Sequence, residues 1–330
     1  MAEEANKVEV LIPEPKPGSL ENLTEEQKKA LDDFKAMLKE KNEFKEEEHN
    51  DYLLLRFLRA RDFNLTKTYE MFSNCEKWRE SIKIKDLCKN FEFPEEEEVH
   101  KLYPRFYHKV DKYGRPIYIE QLGPLDLKKL FNVTTEEKMI NHHVYEYEKL
   151  IHTRFPACSN RAGYHIETSC TIMDLKKVGL FQFAKAFSFI KSSSAIAQDY
   201  YPEMLGQMFI INAPMLFTST WKLITPLLDP VTVKKIKILG GKYESEIFKV
   251  IDKENFPKFL GGTCECPECT GGCSRTDPGP WKEEQYTKDV SWPPKYCLND
   301  EPKADAAPAE EKAEEKTEEK AEEKAEEKAE

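Results

Sequence analysis

The stretch QMFIINAPMLFTSTWKLITPLL, Gln207–Leu228, changes its period partway along. Gln207–Ala213 is a short apolar run of strand length. From Pro214 to Leu228 the apolar side chains Phe217, Trp221, Ile224 and Leu228 recur at helical spacing, and Pro214 sits where proline best starts a helix. A strand running straight into a helix is half of a β-α-β unit. The alternation continues on both sides. Upstream, Pro116–Leu122 (PIYIEQL) and Glu167–Leu175 (ETSCTIMDL) read as strands, with helices over Thr134–Thr153 and Leu180–Gln198. Downstream, Thr232–Leu239 reads as a fourth strand, followed by a short helix around Glu244–Ile251. Strands alternating with helices predict an α/β domain with a mostly parallel sheet flanked by helices, over residues 95–262.

Residues 21–94 carry a helical period only. Thr24 followed by Gln27 predicts a capping box, and Leu31, Phe34 and Leu38 follow at helical spacing. A second helix starts near Asp51 with Leu54, Leu55, Phe57 and Leu58, and a third covers Leu65–Ser81 with Tyr69, Phe72 and Trp78. This predicts an all-α N-terminal subdomain. Residues 1–20 are rich in Pro, Lys and Glu and predict a disordered lead-in. Residues 263–299 form a Cys- and Pro-containing extension. Residues 300–330 are an acidic low-complexity tail, where Glu314 and Glu318, or Lys312 and Lys316, stack like charges at i,i+4 and weaken a helix.

The net charge is −11 over 330 residues, but residues 301–330 hold 13 acidic and 6 basic side chains, so the rest of the chain carries only −4. Phosphate backbones select for clustered Lys and Arg, so no nucleic-acid partner is expected. No charged-then-apolar leader opens the chain, and no run approaches the roughly 18 apolar residues of a membrane span. A cytoplasmic protein is expected, with its nine cysteines as thiols.

Catalytic signatures are absent: no Walker A loop, no G-x-G-x-x-G, no G-x-S-x-G and no H-E-x-x-H, so an enzyme is not expected. Cys264, Cys266, Cys269 and Cys273 crowd four thiols into ten residues. Zinc favours four soft ligands, but such crowding strains a fold around the metal, and no metal site is expected. His165 and Glu167 with a downstream Pro-Glu-Cys lack the order of a zinc deaminase. His142, His143 and Glu146 on one helix read as a solvated or pocket-facing surface.

Other features suit an apolar ligand with a polar head. The helix Pro214–Leu228 carries one charge, Lys222, and reads either as a buried core helix or as a cover that meets lipid when open. Ser169, Thr171 and Met173 share one strand face; Tyr118 and Glu120 share another, with Tyr107 before them. Hydroxyls and tyrosines around one space can bind a phosphate and a quaternary ammonium; ordinary strand packing is the alternative. Asp229, Thr232 and Lys235 fall at the expected start of the fourth strand, and Arg56, Arg59 and Arg61 lie on the second helix, where their concentration suits an anionic headgroup.

At these residues the sequence resembles the phosphatidylinositol/phosphatidylcholine transfer proteins of the CRAL-TRIO family, the Golgi-associated secretory kind. The resemblance covers roughly residues 20–295. It rests on LLRFLRARDF (53–62), MFSNCEKWR (71–79), YPRFYHKVDKYGRPIYIEQLG (103–123), ETSCTIMDL (167–175), QDYYPEMLGQMFIINAP (198–214), LLDPVTVKKIKILG (227–240) and FPKFLGG (256–262). It implies one deep lipid pocket behind a gate helix bearing Phe217, Trp221, Ile224 and Leu228. It assigns Arg61, Asp229, Thr232 and Lys235 to the inositol lipid, and Tyr107, Tyr118, Glu120, Tyr147, Ser169 and Thr171 to the choline lipid. It also implies phospholipid as ligand with no cofactor, a monomer, transient membrane contact at the Golgi and presentation of lipid to a phosphatidylinositol 4-kinase. A carrier or sensor for a sterol, another phospholipid or haem is the alternative. Two departures, Asp62 and Met204, remove positive charge that relatives often place on the inositol side.

Overall fold

The structure, a computed structural model, describes residues 10–179, 194–215, 217–267 and 270–298. The first helices form because each has a side-chain cap. Thr24 completes a capping box with Gln27 at the start of α1 (Glu25–Glu40), Asn50 caps α2 (Asp51–Ala60) through the Leu53 N–H, and Asn64 caps α3 (Leu65–Ser81) through the Lys67 N–H. Each cap satisfies an otherwise orphaned donor, at about 1 kcal/mol. Leu31, Phe34 and Leu38 of α1 pack against Leu54, Leu55, Phe57 and Leu58 of α2 and Met71 and Phe72 of α3. Asp62 and Phe63 leave α2 in left-handed backbone (φ 51° and 58°). Aspartate tolerates that conformation better than most residues, which gives Asp62 a backbone reason.

Two short helices, α4 (Ile84–Asn90) and α5 (Glu96–Leu102), lead to strand β1 (Arg105–Val110), which is not among the expected strands. β2 (Pro116–Gln121) pairs antiparallel with β1. β3 (Ser169–Asp174), β4 (Leu205–Ile211) and β5 (Ile236–Ile238) follow in parallel, in the order β1-β2-β3-β4-β5. Between β2 and β3 run α6 (Leu127–Val133), α7 (Glu136–Lys149) and α8 (Phe155–Ala162). α7 opens on a Thr135 cap and joins α8 through a π-turn, Leu150–Arg154. Pro156 has no N–H to return to His152, and the Phe155 N–H reaches back five residues to the Leu150 carbonyl.

Residues 194–200 form a helix, α9; residues 180–193 of the expected helix Leu180–Gln198 lie outside the described residues. The expected helix Pro214–Leu228 is observed as α10 (Phe217–Ile224) and a 3-10 turn, Thr225–Leu227, which ends it at Pro226 and leaves Leu228 in extended backbone. The expected strand Thr232–Leu239 is corrected. Asp229 accepts from the Val231 and Thr232 N–H groups (2.7 and 3.2 Å) and starts a helix, α11 (Pro230–Lys234), with Lys235 as its C-cap, so only Ile236–Ile238 is strand. An Asp cap followed by Pro at the first helical position outweighs the β-branched run Val231, Thr232 and Val233. A short α12 (Glu244–Ile247) follows.

Register divides the sheet into two faces. Phe106, Ile117, Ile119, Cys170, Ile172, Phe209 and Ile211 point one way and bury against Ile247, Ile251, Phe256 and Leu260. The other face carries Arg105 opposite Glu120, Tyr107 opposite Tyr118, Tyr118 opposite Thr171, and Thr171 opposite Met208. The extension folds back onto the protein: α14 (Lys295–Leu298), after α13 (Glu284–Thr287), buries Tyr296 and Cys297 beside Ile84, Leu87 and Cys88. No described helix is long and apolar enough to cross a membrane.

Candidate functional site

The second sheet face gathers the side chains expected around a choline head. Tyr107, Tyr118, Glu120, Ser169 and Thr171 share it by register, with the Tyr107 and Tyr118 rings 5.0 Å apart. Tyr147 comes down from α7 and stacks on Tyr201 (4.7 Å) in the same cluster. Tyr118, Glu120 and Tyr147 sit deep in the protein, yet each keeps part of its surface uncovered. The face they share is therefore incompletely filled.

Burial raises the Glu120 carboxyl above its ordinary value, and the Tyr103 hydroxyl donates to it. Burial also pushes the Tyr118 and Tyr147 phenols upward, so both stay neutral donors. The Arg154 guanidinium lies 4.0 Å from the Tyr107 ring centre and pairs with Glu146 at 3.0 Å. Burial opposes the charge on Glu146, but Arg154 and Lys149 hold its carboxyl at about 2. Ser169 and Thr171 are nearly covered, and the Ser169 hydroxyl faces the Met204 carbonyl at 3.5 Å. His142 contacts Arg105 (2.9 Å) and His143 stands edge-on to Tyr147, so both serve the interior of this face.

The residues expected around inositol are brought together only in part. Lys235 Nζ lies 3.8 Å from Glu203, which also faces Arg59 (3.9 Å) and Lys16 (3.7 Å). Arg59 and Lys16 converge on Glu167 at 2.6 and 2.7 Å. Three cations therefore surround two carboxylates, leaving a positive excess. Arg61 donates instead to the Ala60 carbonyl at 2.8 Å. Asp229 spends its carboxylate as the α11 cap, with Thr232 on that helix. Glu203 and Lys16 were not singled out by the sequence, and Arg59 stood out only together with Arg56 and Arg61; only chain folding shows which of these arginines meets Glu203. Met204 is buried in the core rather than turned to this cluster.

α10 lies across the apolar end of the same face. Phe217 is buried and Trp221 and Ile224 are half-buried, packed with Met173, Met208, Ile210, Ile236 and Ile238. Met215, just before the helix, is 93% exposed. Leu228 lies beyond the helix, half-buried.

The fold and site define an α/β protein with a helical N-terminal part, one packed sheet face and one incompletely filled face on which α10 also packs. The chain belongs to the CRAL-TRIO family: the CRAL/TRIO domain matches residues 100–262 and the CRAL/TRIO N-terminal domain residues 30–74. It is 55% identical over 237 residues to the Sec14 cytosolic factor of Schizosaccharomyces pombe, covering 72% of this chain and 82% of that one. The SEC14 cytosolic factor of Kluyveromyces lactis is 45% identical over 269 residues (82% and 89%). The phosphatidylinositol/phosphatidylcholine transfer protein SFH12 of Arabidopsis thaliana is 44% identical, covering 80% of this chain and 49% of that one. Among solved structures, the crystal structure of Sfh5 shares the fold with a TM-score of 0.53 at 17% identity, over 82% of this chain and 94% of that chain.

Proposed function

We propose that this chain is a lipid carrier that exchanges phosphatidylinositol and phosphatidylcholine at membrane surfaces. The observation that carries the reading is one sheet face shared by the deep but incompletely covered Tyr118, Glu120 and Tyr147 and the apolar helix α10; the names of the relatives support the choice of lipids. Acyl chains would lie against Met173, Met208 and the Phe217–Ile224 helix, gaining roughly 25 cal/mol per Å² of apolar area removed from water. The choline head would meet tyrosine faces and the Glu120 carboxylate, which suit a quaternary ammonium. The inositol phosphate would bind at Lys235 and Thr232, with Arg61 and Asp229 as the family pattern assigns them. Opening of α10 against a bilayer would let one lipid leave and another enter, with no covalent step. Transient Golgi contact, a monomeric carrier and delivery to a phosphatidylinositol 4-kinase complete the reading.

Mass spectrometry of lipids that co-purify with the full chain tests it. Both phospholipids in the wild type, with the inositol lipid alone lost in Lys235→Ala, are expected. A sterol or haem in their place would overturn the proposal.

A further inference from the structure

His108 sits in β1 between Tyr107, which lies on the incompletely filled face, and a bulge where Lys109 takes a φ of 54°. The bulge matters because it turns this segment against the C-terminal extension. His108 is 0% exposed, and neither ring nitrogen makes a hydrogen bond of ordinary geometry. Burying a polar group without a good partner is costly; the ring's contact with the Cys273 backbone falls outside ordinary hydrogen-bond geometry, so the imidazole calls for a stronger partner.

Three thiols provide the setting. Cys264, Cys266 and Cys273 are buried, and their sulfurs and a His108 nitrogen all lie within 4.8 Å of one another. The Cys266 sulfur is 3.6 Å from that of Cys264 and 3.7 Å from that of Cys273. A disulfide needs about 2.05 Å. Zinc–sulfur bonds of about 2.3 Å at the tetrahedral angle put sulfurs about 3.8 Å apart. The thiols therefore stand at the spacing of the edges of a zinc tetrahedron. The backbone is shaped for it: Gly271 and Gly272 both take positive φ (93° and 62°) and return the chain to Cys273. A side chain at Gly271 would also crowd Arg275. Cys264 is held independently, its N–H donating to Phe256 O (3.1 Å) and its carbonyl accepting from the Lys258 N–H (2.8 Å).

We infer that His108, Cys264, Cys266 and Cys273 bind one zinc ion. Four protein donors in a buried, closed cluster define a structural site rather than a catalytic one. The ion would clamp the extension onto β1, the strand that presents Tyr107 to the incompletely filled face. The sequence pointed to four thiols in one loop, whose crowding argued against metal. The donor set resolves that objection by taking only three of them and drawing the fourth ligand from a distant strand. Cys269 lies outside the described residues.

The test uses the full chain purified without chelator. Elemental analysis should give one zinc per chain, and X-ray absorption should show three sulfurs and one nitrogen. Cobalt exchange should produce the intense visible bands of a tetrahedral thiolate site. His108→Ala and Cys273→Ser should each weaken zinc binding at least tenfold, while Cys269→Ser retains it. If a ligand variant fails to fold, the cobalt and absorption spectra of the wild type decide alone. Less than stoichiometric zinc after growth with zinc, an octahedral cobalt spectrum, iron in place of zinc, or zinc lost in Cys269→Ser would each overturn the assignment.

Discussion

Lys235 and Glu120 mark the two polar ends of the proposed carrier, and each allows a separate expectation. A charge-assisted hydrogen bond contributes about 1.5–3 kcal/mol, so Lys235→Ala should lower phosphatidylinositol transfer roughly 10- to 100-fold and leave phosphatidylcholine transfer unchanged in a vesicle assay. Glu120 has its carboxyl raised by burial. A raised folded-state value means that its protonated form contributes stability below the ordinary value near 4.5, and that this is lost as pH rises through the folded value. Glu120→Gln should therefore unfold at higher urea than the wild type at neutral pH, with the gap closing on acidification. The same variant should weaken choline-lipid transfer, since it removes the anion facing the ammonium. Much of this face was legible: the period of two in PIYIEQ and SCTIMD places Tyr118 with Glu120 and Ser169 with Thr171. His108 was not, and Arg59 stood out only as one of three neighbouring arginines, because a basic side chain does not show which distant segment supplies its partner.

Between elements, Glu148 is the joint. It is 0% exposed on α7, and it receives Arg79 of α3 at 2.6 Å, the Tyr201 hydroxyl at 2.7 Å and the Tyr296 hydroxyl of α14 at 3.4 Å. Burial alone would raise its carboxyl, yet Arg79 and His152 hold it well below the usual range. Removing one partner leaves a buried charge uncompensated, so Arg79→Ala should cost about 3–5 kcal/mol in urea unfolding. Within the helical part, Glu76 pairs with Lys45 (2.8 Å) and lies beside His49 (3.5 Å). Burial opposes its charge, but these contacts lower it from 4.5 to about 2. A lowered value contributes stability that is present above 4.5 and lost as pH falls toward 2. The stability difference between wild type and Glu76→Gln, on the order of 3 kcal/mol at neutral pH, should shrink across that window. Asn50 and Asn64 mark their helix starts by a local rule. The β-branched run Val231–Val233 hides α11, because the Asp229 cap and Pro230 decide the local backbone, and the π-turn is not legible because one extra residue per turn leaves no periodic trace.

For the whole molecule, the division into a filled face and an incompletely filled face predicts which changes affect exchange. Trp221→Asp should slow lipid exchange between vesicles while leaving bound lipid in the isolated protein, since Trp221 packs on the proposed gate helix rather than at the polar ends. Deleting residues 300–330 should leave transfer unchanged, and an acquired partner lost with that deletion would assign the tail to recruitment. The β-α alternation made the architecture readable, whereas the fold of the extension was not, because its contacts run to β1, α4 and α7 rather than to its own neighbours. The sheet's borders have a further consequence. At one border the Lys109 N–H is taken by the Pro278 carbonyl (2.6 Å), and at the other β5 is only three residues long with the exposed Lys237 at its centre. Neither border offers a long run of unpaired amides on which a second chain could add a strand. A carrier that exchanges lipid as proposed would bare apolar surface whenever α10 opened, and such borders would keep it from templating its own aggregation.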